Sequence, residues 1–488
     1  MQVLKKFYFI ITCLLITSCS STSIKDEGGV DSYTTDIAEI GISDAKSFRV
    51  GMLLPLSGSD AKYGQGLKNA SMLALQDINN PNLVLQYYDT QSSPAGARIA
   101  IENAIKQRSN LIIGPLKSTE VQAISNETIY QGIPVIAFST SQEVLQPTVY
   151  TLGLLVDEQI DRIISYVASQ GRKRFALLLP DNATGGSVAR AAVKSAQKNN
   201  VQITTIGFYT PGTSDFSQIA KDMTNYETRH TRVINIKNKL QALADNGDIS
   251  AQKALKKLET REGLGDIGFD AIIIPESGAK LTSAISMFAY YDAAFPTVQF
   301  LGTAVWDSGK FNNEAVMAKS LYTAISKPQT NSFANQYYSI FNDRPSSLYT
   351  LAYDAVNIAN QLAHSNEKNL NENITKQTGF QGIGGRIRFF KNGNNQHSLD
   401  IVEILPSGNI IIDNGAAYFE TITDNFPFIE IDSQYHLPKI FGKDSTLAQI
   451  LIYGQTLPIE SQEIAPNNFE NDNTIADTQL KEMGIYIN

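Results

Sequence analysis

The sequence has little cysteine, histidine or tryptophan, and each scarcity narrows the class of protein. Its 488 residues include two Cys, four His and one Trp. Cys19 is the only cysteine left once a predicted leader is removed, which excludes an intramolecular disulfide and a cysteine nucleophile in the folded part. The histidines are not spaced like the ligands of a metal site, and we predict no metal. They are His230, His364, His397 and His436.

The motifs of common enzymes are also missing. There is no phosphate-binding P-loop and no Gly-x-Ser-x-Gly turn of the hydrolases. Asp89, Asp181 and Asp307 each follow a predicted strand, where a pair of carboxylates could act as acid and base. Such residues more often cap helices or fix turns. We therefore predict that the protein is not an enzyme and uses no cofactor, with an enzyme of unknown type kept as a third alternative.

Charge and composition bound the partners and the size of the fold. The formal net charge is −8 and the sequence pI is about 5.2, and an acidic chain of this kind is not expected to bind nucleic acid. Hydrophobic residues make up 42% and charged residues 18%, which is typical of a globular protein. A chain of this length is too long for one ordinary core and predicts two lobes or domains.

The N-terminus reads as a leader for export. Lys5 and Lys6 precede an apolar run, Phe7–Ile16, whose roughly 10 residues suit a signal peptide and fall short of the ~20 needed to span a bilayer. The next residues, Ile16-Thr17-Ser18-Cys19, resemble the bacterial lipobox. That resemblance implies a signal peptide over 1–18 and lipid attached to Cys19. A plain secretory signal cleaved nearby is the alternative.

The residues after Cys19 predict a tether. Residues 19–46 are rich in Ser, Thr, Asp and Gly without a sustained apolar period, which is typical of a flexible segment. Ser20 resembles the outer-membrane sorting signal of enterobacterial lipoproteins. We therefore expect a periplasm-facing lipoprotein of the bacterial cell envelope, held to the outer membrane through Cys19.

From Phe48 onward, short apolar runs alternate with amphipathic stretches. Apolar strands between helices predict a parallel sheet covered on both faces, connected by right-handed crossovers. The pattern restarts after Leu152, so we predict an α/β fold of two doubly wound lobes. The predicted strands are 48–54, 83–88, 111–113, 134–138, 175–179, 202–208, 270–275 and 299–302.

Three segments depart from this alternation. Residues 225–266 are highly charged, with Leu and Ala at helical spacing, and predict an inserted helical arm. Residues 381–405 predict a β-hairpin with turns at Gly384-Gly385 and Asn392-Gly393. Residues 414–488 form a C-terminal extension that we expect to be partly disordered, and mobile from Glu460.

Several ordered motifs resemble type I periplasmic binding proteins, the group that includes branched-chain amino-acid receptors. They are Arg49–Gly58, Tyr63-Gly64-Gln65-Gly66, Tyr88-Asp89-Thr90, Leu111–Pro115, Gly132–Val135 and Leu351–Ala355. The resemblance implies two lobes that close on a ligand. The first would comprise 48–153 and 329–390, and the second 154–328 and 391–413.

Within that group, the chain is similar to the penicillin-binding protein activators. The strings Leu53–Gly58, Ile112–Leu116 and Val135–Ser139 carry this similarity, with the charged arm and Leu301-Gly302-Thr303. It implies an envelope lipoprotein that regulates peptidoglycan synthesis by contacting a cell-wall synthase. The alternative is a receptor that delivers an amino acid or related small solute to an ABC permease.

The resemblance also implies a ligand-binding cleft between the lobes. Ser118 and Ser139 could equally be helix caps, and Trp306 a core residue. Receptors of this group have Tyr where Thr184 stands and an acidic residue near 303–305, so a free α-amino acid is expected to bind weakly unless Asp307 moves in. The implied cleft residues are Ser57, Tyr63, Lys117, Ser118, Ser139, Thr140, Ser141, Thr184, Trp306 and Asp307.

Overall fold

The computed structural model describes residues 47–141, 144–309, 311, 314–325, 327–365, 369–416, 419, 438–453, 469–483 and 485. The predicted signal peptide, Cys19 and the tether lie outside these residues. Among the described helices, none is both long enough and apolar enough to cross a bilayer.

Sixteen strands are present in the described residues. They are β1 (Phe48–Leu54), β2 (Leu83–Asp89), β3 (Leu111–Ile113), β4 (Val135–Ala137), β5 (Val149–Thr151), β6 (Arg174–Pro180), β7 (Gln202–Tyr209), β8 (Ala271–Ile273), β9 (Gln299–Gly302), β10 (Leu321–Ala324), β11 (Phe380–Gly382), β12 (Gly385–Phe389), β13 (Asn395–His397), β14 (Asp400–Glu403), β15 (Ile410–Asp413) and β16 (Lys439–Phe441).

The α-helices of the described residues fall between these strands or, for the last two, after β16. They are α1 (Ala61–Ile78), α2 (Pro94–Lys106), α3 (Ser118–Gln131), α4 (Val156–Ser169), α5 (Ala183–Lys198), α6 (Ser217–Met223), α7 (Tyr226–Asp245), α8 (Ile249–Leu258), α9 (Gly278–Tyr290), α10 (Lys327–Phe341), α11 (Ser347–Ala363), α12 (Leu370–Ile374), α13 (Ser445–Tyr453) and α14 (Phe469–Glu482).

The first lobe is a five-stranded parallel sheet in the order β2-β1-β3-β4-β5. One face packs on α1 and α11, where the core includes Met52, Leu67 and Ala355. The other face packs on α2 and α3 through Ile101 and Ile124. Burial on both faces explains the uninterrupted apolar strands and makes this a doubly wound sheet.

The second lobe repeats that order and adds to it. Strands β7-β6-β8-β9-β10 are parallel and follow the order of the first sheet. The antiparallel strands β14 and β15 extend one edge, and β16 pairs in parallel with β7 at the other. Both lobes therefore have the doubly wound parallel-sheet fold that the sequence predicts.

The segment 381–405 is not a single hairpin, and that prediction is corrected. Strands β11, β12 and β13 form a separate antiparallel sheet, and the next strand, β14, belongs to the second lobe. The predicted turn residues do lie at turns, where Gly385 and Gly393 have φ values of 102° and 87°. The local turn signals identified where the chain reverses, but not which sheet each strand joins.

Part of the C-terminal extension beyond Glu460 is helical. Residues Phe469–Glu482 form helix α14, which packs on the arm made by α7 and α8. Ala476 and Leu480 lie in one apolar cluster with Leu240 and Leu258. The Gln479 side chain accepts a hydrogen bond of 3.0 Å from the backbone N–H of Gly265. The arm is therefore a three-helix unit that includes α14.

Candidate functional site

The loops that follow parallel strands meet at one edge of each sheet. In an open α/β sheet, ligands bind beside the strands where the strand order reverses. That point lies between β1 and β3 in the first lobe and between β6 and β8 in the second. Most of the predicted cleft residues are in these loops or in the first turns of the helices that follow them.

Ser57 is held by the carboxylate of Asp89. The Ser57 hydroxyl donates to Asp89 over 2.6 Å, and the backbone N–H groups of Leu56, Ser57 and Gln91 donate over 2.9, 3.1 and 2.8 Å. Burial acts to raise the pKa of Asp89, but the hydrogen bonds from Ser57 and these N–H groups lower it below its ordinary value. Asp89 therefore fixes the loop after β1 as an ionised acceptor.

Lys117 is paired with Asp60 in an ion pair at the same edge. The hydrogen bond between the two side chains is the main cause that lowers the pKa of Asp60 and raises that of Lys117. Because the pair is neutral as a whole, Lys117 alone does not give the first lobe a positive charge. The side chain remains 40% exposed, within reach of solvent.

The N-terminus of α3 lies beside this ion pair. Lys117 is at the N-cap position, and its side chain makes no capping hydrogen bond, so Ser118 is the first helical residue and not the cap. An N-terminus without a side-chain cap presents backbone N–H groups to an anionic group. Ser139 is buried and accepts a hydrogen bond of 3.1 Å from the N–H of Ser141, which makes a turn after β4.

The other predicted polar residues of the cleft are at the surface. Tyr63, in the first turn of α1, is 48% exposed. Thr140 and Thr184 are exposed. Asn182 caps α5, since its side chain accepts from the N–H of Gly185 over 3.1 Å, and this leaves the Thr184 hydroxyl at the helix N-terminus without the capping role.

Trp306 cannot contact a ligand, and its assignment to the cleft is corrected. Its side chain is fully buried and donates to the carbonyl of Ile274 over 3.1 Å. A Cβ on Gly302 would come within 2.1 Å of the indole, which shows how closely the ring packs on β9. The interpretation of Trp306 as a core residue is the one the structure supports.

Asp307 is exposed, but its carboxylate already accepts a hydrogen bond. The hydroxyl of Tyr322 donates to Asp307 over 3.1 Å and itself accepts from the Asn409 side chain over 3.1 Å. Asp307 therefore serves to hold β10 and the loop before β15. Moving it into the cleft would break this network.

Comparison with known proteins agrees with the geometry. Residues 47–238 match the family described as Periplasmic binding protein. A Leu/Ile/Val-binding protein of Rhizobium johnstonii is 22% identical over 331 residues, 60% of this chain and 90% of that protein. An uncharacterised protein of Rickettsia prowazekii is 23% identical over 214 residues, 44% of this chain and 54% of the relative, so the chain spans about half of that relative's length.

Among solved structures, a protein of Rhodospirillum rubrum described as a branched-chain amino acid ABC transporter superimposes with a TM-score of 0.60. The two are 15% identical, and the similarity covers 75% of this chain and 100% of that one. The fold is that of a type I periplasmic binding protein. The fold class predicted from the sequence is confirmed.

The loop after β8 also lies where the strand order of the second lobe reverses, and the sequence alone does not predict it as part of the site. Glu276 lies in this loop and accepts a hydrogen bond from the hydroxyl of Tyr209, at the end of β7. Burial, followed by the contact with Glu276, raises the pKa of Tyr209, so the phenol stays a donor. The available signal was an acidic residue directly after the apolar run Ala271–Ile274 and Pro275.

A second acid was also missed, in the first lobe. Glu120 is fully buried in the first turn of α3, and the hydroxyl of Thr90 donates to it over 3.3 Å. Burial raises the pKa of Glu120 more than the Thr90 contact lowers it.

Within the described residues, no group of three or more His, Cys, Asp or Glu side chains could hold a metal ion.

Proposed function

We propose that this protein is an extracytoplasmic solute-binding receptor that takes a small polar ligand between its lobes and works with an ABC permease. The observation that carries the proposal is the opposite character of the two loop edges. The first lobe offers hydrogen-bond donors at the N-terminus of α3, and the second offers the carboxylate of Glu276. A cleft with donors on one side and an acceptor on the other suits a ligand with an anionic and a cationic end.

The ligand class follows from these groups. A carboxylate fits the N-terminus of α3 with the hydroxyl of Ser118, and an ammonium or sugar hydroxyl fits Glu276. The expectation that a free α-amino acid binds weakly depended on the missing acid near 303–305, and Glu276 offers an alternative partner. Amino acids, short peptides and peptide-bearing wall fragments are therefore the proposed candidates, and the names of the relatives favour amino acids among them.

Thermal unfolding in the presence of candidate ligands tests this proposal. A ligand present at 100 times its Kd should stabilise the protein by ~2.7 kcal/mol, which raises Tm. The panel would contain amino acids, di- and tripeptides and muropeptides. Glu276→Gln should abolish the shift, because a neutral amide is a poor partner for an ammonium. Glu102→Gln, an exposed change on α2, should leave it intact. No shift with any compound would contradict the proposal.

A second candidate function rests on the arm. We infer that α7, α8 and α14 form a docking surface for a cell-wall synthase, as the similarity to penicillin-binding protein activators implies. The arm has its own apolar core and is additional to the two doubly wound sheets. Ile249 is 66% exposed and Leu243 is 46% exposed, and exposed apolar side chains on an appendage are a common feature of contact surfaces.

Point variants test the docking surface better than a deletion, because α14 packs on the arm and Arg229 of α7 ties the arm to the second lobe through the Tyr291 carbonyl and Asp292. The wild type would be used to capture proteins from envelope extract, alongside Ile249→Glu, Leu243→Glu and the control Ile99→Glu on α2. Recovery of a wall synthase that is lost only in the two arm variants would support the activator role. Equal recovery by all forms, or none by the wild type, would contradict it.

Attachment through lipid on Cys19 is part of both proposals. Cys19→Ser should move the protein from the membrane to the soluble fraction of lysed cells. Mass spectrometry of the wild-type N-terminus should find a diacylglycerol and an acyl chain on Cys19. An unmodified N-terminus beyond Cys19 would favour the plain secretory signal. Separation of inner and outer membranes would decide which of the two membranes holds the protein.

A further inference from the structure

The chain passes between the lobes three times, and the first and third crossings are bonded to each other. The Asn395 side chain donates to the carbonyls of Thr151 and Gly153 over 2.6 and 2.9 Å. The N–H of Thr151 donates to the carbonyl of Gly393 over 3.1 Å. Any change in the angle between the lobes must therefore be accommodated by these bonded crossings.

His397 is the last residue of β13, in the third crossing. A buried acid, Glu158, binds it to the first crossing. Glu158 is in the first turn of α4, and one of its carboxylate oxygens lies 3.0 Å from Nδ1 of His397. The other oxygen accepts the backbone N–H of the same histidine. Both side chains are at most 4% exposed. A carboxylate at this depth needs a compensating charge.

The second imidazole nitrogen makes no close hydrogen bond in this arrangement. Nε2 of His397 is inaccessible to solvent and makes no hydrogen bond to any described residue. A neutral imidazole needs only one proton for Glu158, whereas the charged form has a proton on each nitrogen. The Leu152 carbonyl, in the first crossing, is near enough to favour the charged form. Because only the charged imidazole has an N–H on both nitrogens, the bonding of His397 changes with protonation.

Asp354 contributes a third titratable group from the first lobe. It lies in α11, is buried, and accepts a hydrogen bond of 2.7 Å from the N–H of Ile383. Burial raises the pKa of Asp354 to about 7. Its interaction with His397 favours the charged imidazole. His397 is thus in contact with an acid of the second lobe and under the electrostatic influence of an acid of the first.

The cations near this cluster are engaged elsewhere. Arg162, one turn along α4 from Glu158, donates to the carbonyl of Leu399 over 2.8 Å and is paired with Asp413. Arg388, on the strand beside β13, donates to the side chain of Gln396 over 2.8 Å. Among the described residues, Glu158 and Asp354 are the charged side chains whose interactions raise the pKa of His397.

We propose that Glu158, His397 and Asp354 form a proton-dependent latch in the hinge. With the imidazole protonated, the ion pair to Glu158 binds the first and third crossings together and restricts the angle between the lobes. Loss of that proton leaves the Glu158 carboxylate buried without a compensating charge, which weakens the crossing contacts. The lobes then gain freedom to rearrange, and this requires no ligand.

The direction of the pH effect follows from the pKa shifts. Burial lowers the pKa of His397, but Glu158 and Asp354 together raise it above its ordinary value. The stabilisation of the folded state is therefore complete below the pKa of an unfolded His, about 6.5, and is lost as pH rises through the raised value. Asp354 has the same sign, since its raised pKa favours the folded state at low pH. The latch is closed in acid and opens toward alkaline pH.

Two measurements on the full chain test the latch. The sequence has only four His, so selective ¹³C labelling at Cε1 gives four resonances, and His397→Gln identifies the one that matters. That resonance should titrate above the ordinary value for a histidine, about 6.5, and His364→Gln, at an exposed histidine, is the control. Small-angle scattering from pH 6 to 9.5 should show a change in the radius of gyration over the same range.

Variants separate a latch from a purely structural contact. Glu158→Gln should reduce the proton affinity of His397 roughly tenfold or more and move the scattering transition to lower pH by the same amount. If that variant does not fold, Asp354→Asn should act in the same direction with a smaller shift. His364→Gln should match the wild type. A resonance that does not titrate, or one that titrates while the scattering stays constant, would overturn the latch. Neither result bears on ligand binding, which the thermal-shift panel tests separately.

Discussion

The two lobes share a strand order but secure their cleft loops in different ways. In the first lobe, the partners come from that lobe itself, as with Asp89 and Ser57 or Asp60 and Lys117. In the second, a partner comes from far along the chain: Lys443 donates to Asp181 over 2.6 Å from 262 residues away. A self-contained lobe can keep its loop geometry alone, whereas the second depends on the C-terminal extension.

The extension is therefore part of the second lobe. Strand β16 extends its sheet beside β7, and Ala448 and Ile452 of α13 lie in its core. Arg190 on α5 donates to the carbonyl of Leu451 over 2.7 Å. The sequence interpretation separated 414–488 from the lobes, and these contacts give its described parts a structural role. The difference between the lobes can be tested by substitutions at matched positions.

The largest expected effect on stability comes from comparing an aromatic core residue of the second lobe with an aromatic surface residue of the first. Trp306→Ala should lower the free energy of unfolding by ~3–5 kcal/mol, because it leaves a large cavity and an unpaired carbonyl at Ile274. Tyr63→Ala, half exposed on α1, should cost less than ~1 kcal/mol. Urea denaturation followed by circular dichroism measures both. A small loss for Trp306→Ala would reopen its assignment to the cleft.

The second largest effect on stability is expected from Asp89, which holds the loop after β1 in the first lobe. Asp89→Ala removes the acceptor of four hydrogen bonds and should cost ~2–3 kcal/mol of unfolding free energy. Asp181→Ala, with one long-range ion pair, should cost less than ~1 kcal/mol. Equal losses would mean that the two lobes do not differ in this respect.

The Asp89 carboxylate predicts that the free energy of unfolding depends on pH with the opposite sign to the effect of the latch. Because the pKa of Asp89 is lowered on folding, its stabilisation is present above the unfolded value, about 3.9, and is lost as pH falls through the folded value. The free energy of unfolding should therefore fall in strong acid by less in Asp89→Asn than in the wild type. Parallel pH profiles for the two proteins would contradict this origin.

The strands and loops could be predicted from the sequence where neighbouring residues mark them, and could not where the deciding contacts come from distant segments. Strands β1 and β3 have the predicted bounds because each is a short, mostly apolar run that begins after a polar residue and ends before Pro55 or Gly114. β5, three residues long and without such flanks, was missed. Ser57 and Lys117 lie in the loops after β1 and β3, as expected from the strands before them, and their role in a cleft stays a prediction. Trp306 was misplaced because the residues that bury it, including Tyr322, are distant in sequence.

Long-range pairings explain the remaining gaps. Glu276 is significant because of Tyr209, 67 residues earlier, and no periodic pattern connects the two. The pairing of β16 with β7 joins Lys439 to Thr205, and a parallel pairing of such distant segments has no turn to mark it. The doubly wound order could be predicted from alternation, but the partners of the second lobe's loops could not.

A smaller loss of stability is expected where the second lobe holds a loop with a side chain of its own. Tyr209→Phe removes one hydrogen bond to Glu276 and should cost ~1 kcal/mol of unfolding free energy. It should also alter ligand affinity, because Glu276 loses the contact that orients it. A matched change in the first lobe, Ser57→Ala, removes the hydroxyl bond to Asp89 and should have a similar cost. A much larger loss for Tyr209→Phe would make the second lobe the less tolerant of the two.

The smallest expected effect concerns the ion pairs at the two loop edges. Lys443→Ala should cost ~0.5–1 kcal/mol, since Asp181 is 36% exposed and solvent screens the pair. Lys117→Ala should cost ~0.5 kcal/mol or less, because the Lys117 side chain is more exposed to solvent than that of Lys443. The discriminating measurement is limited proteolysis. If Lys443 secures the extension to the second lobe, only Lys443→Ala should speed cleavage within 414–488, while Lys117→Ala leaves that rate unchanged. Equal rates in both variants would mean that strand β16 and helix α13 hold the extension without the ion pair.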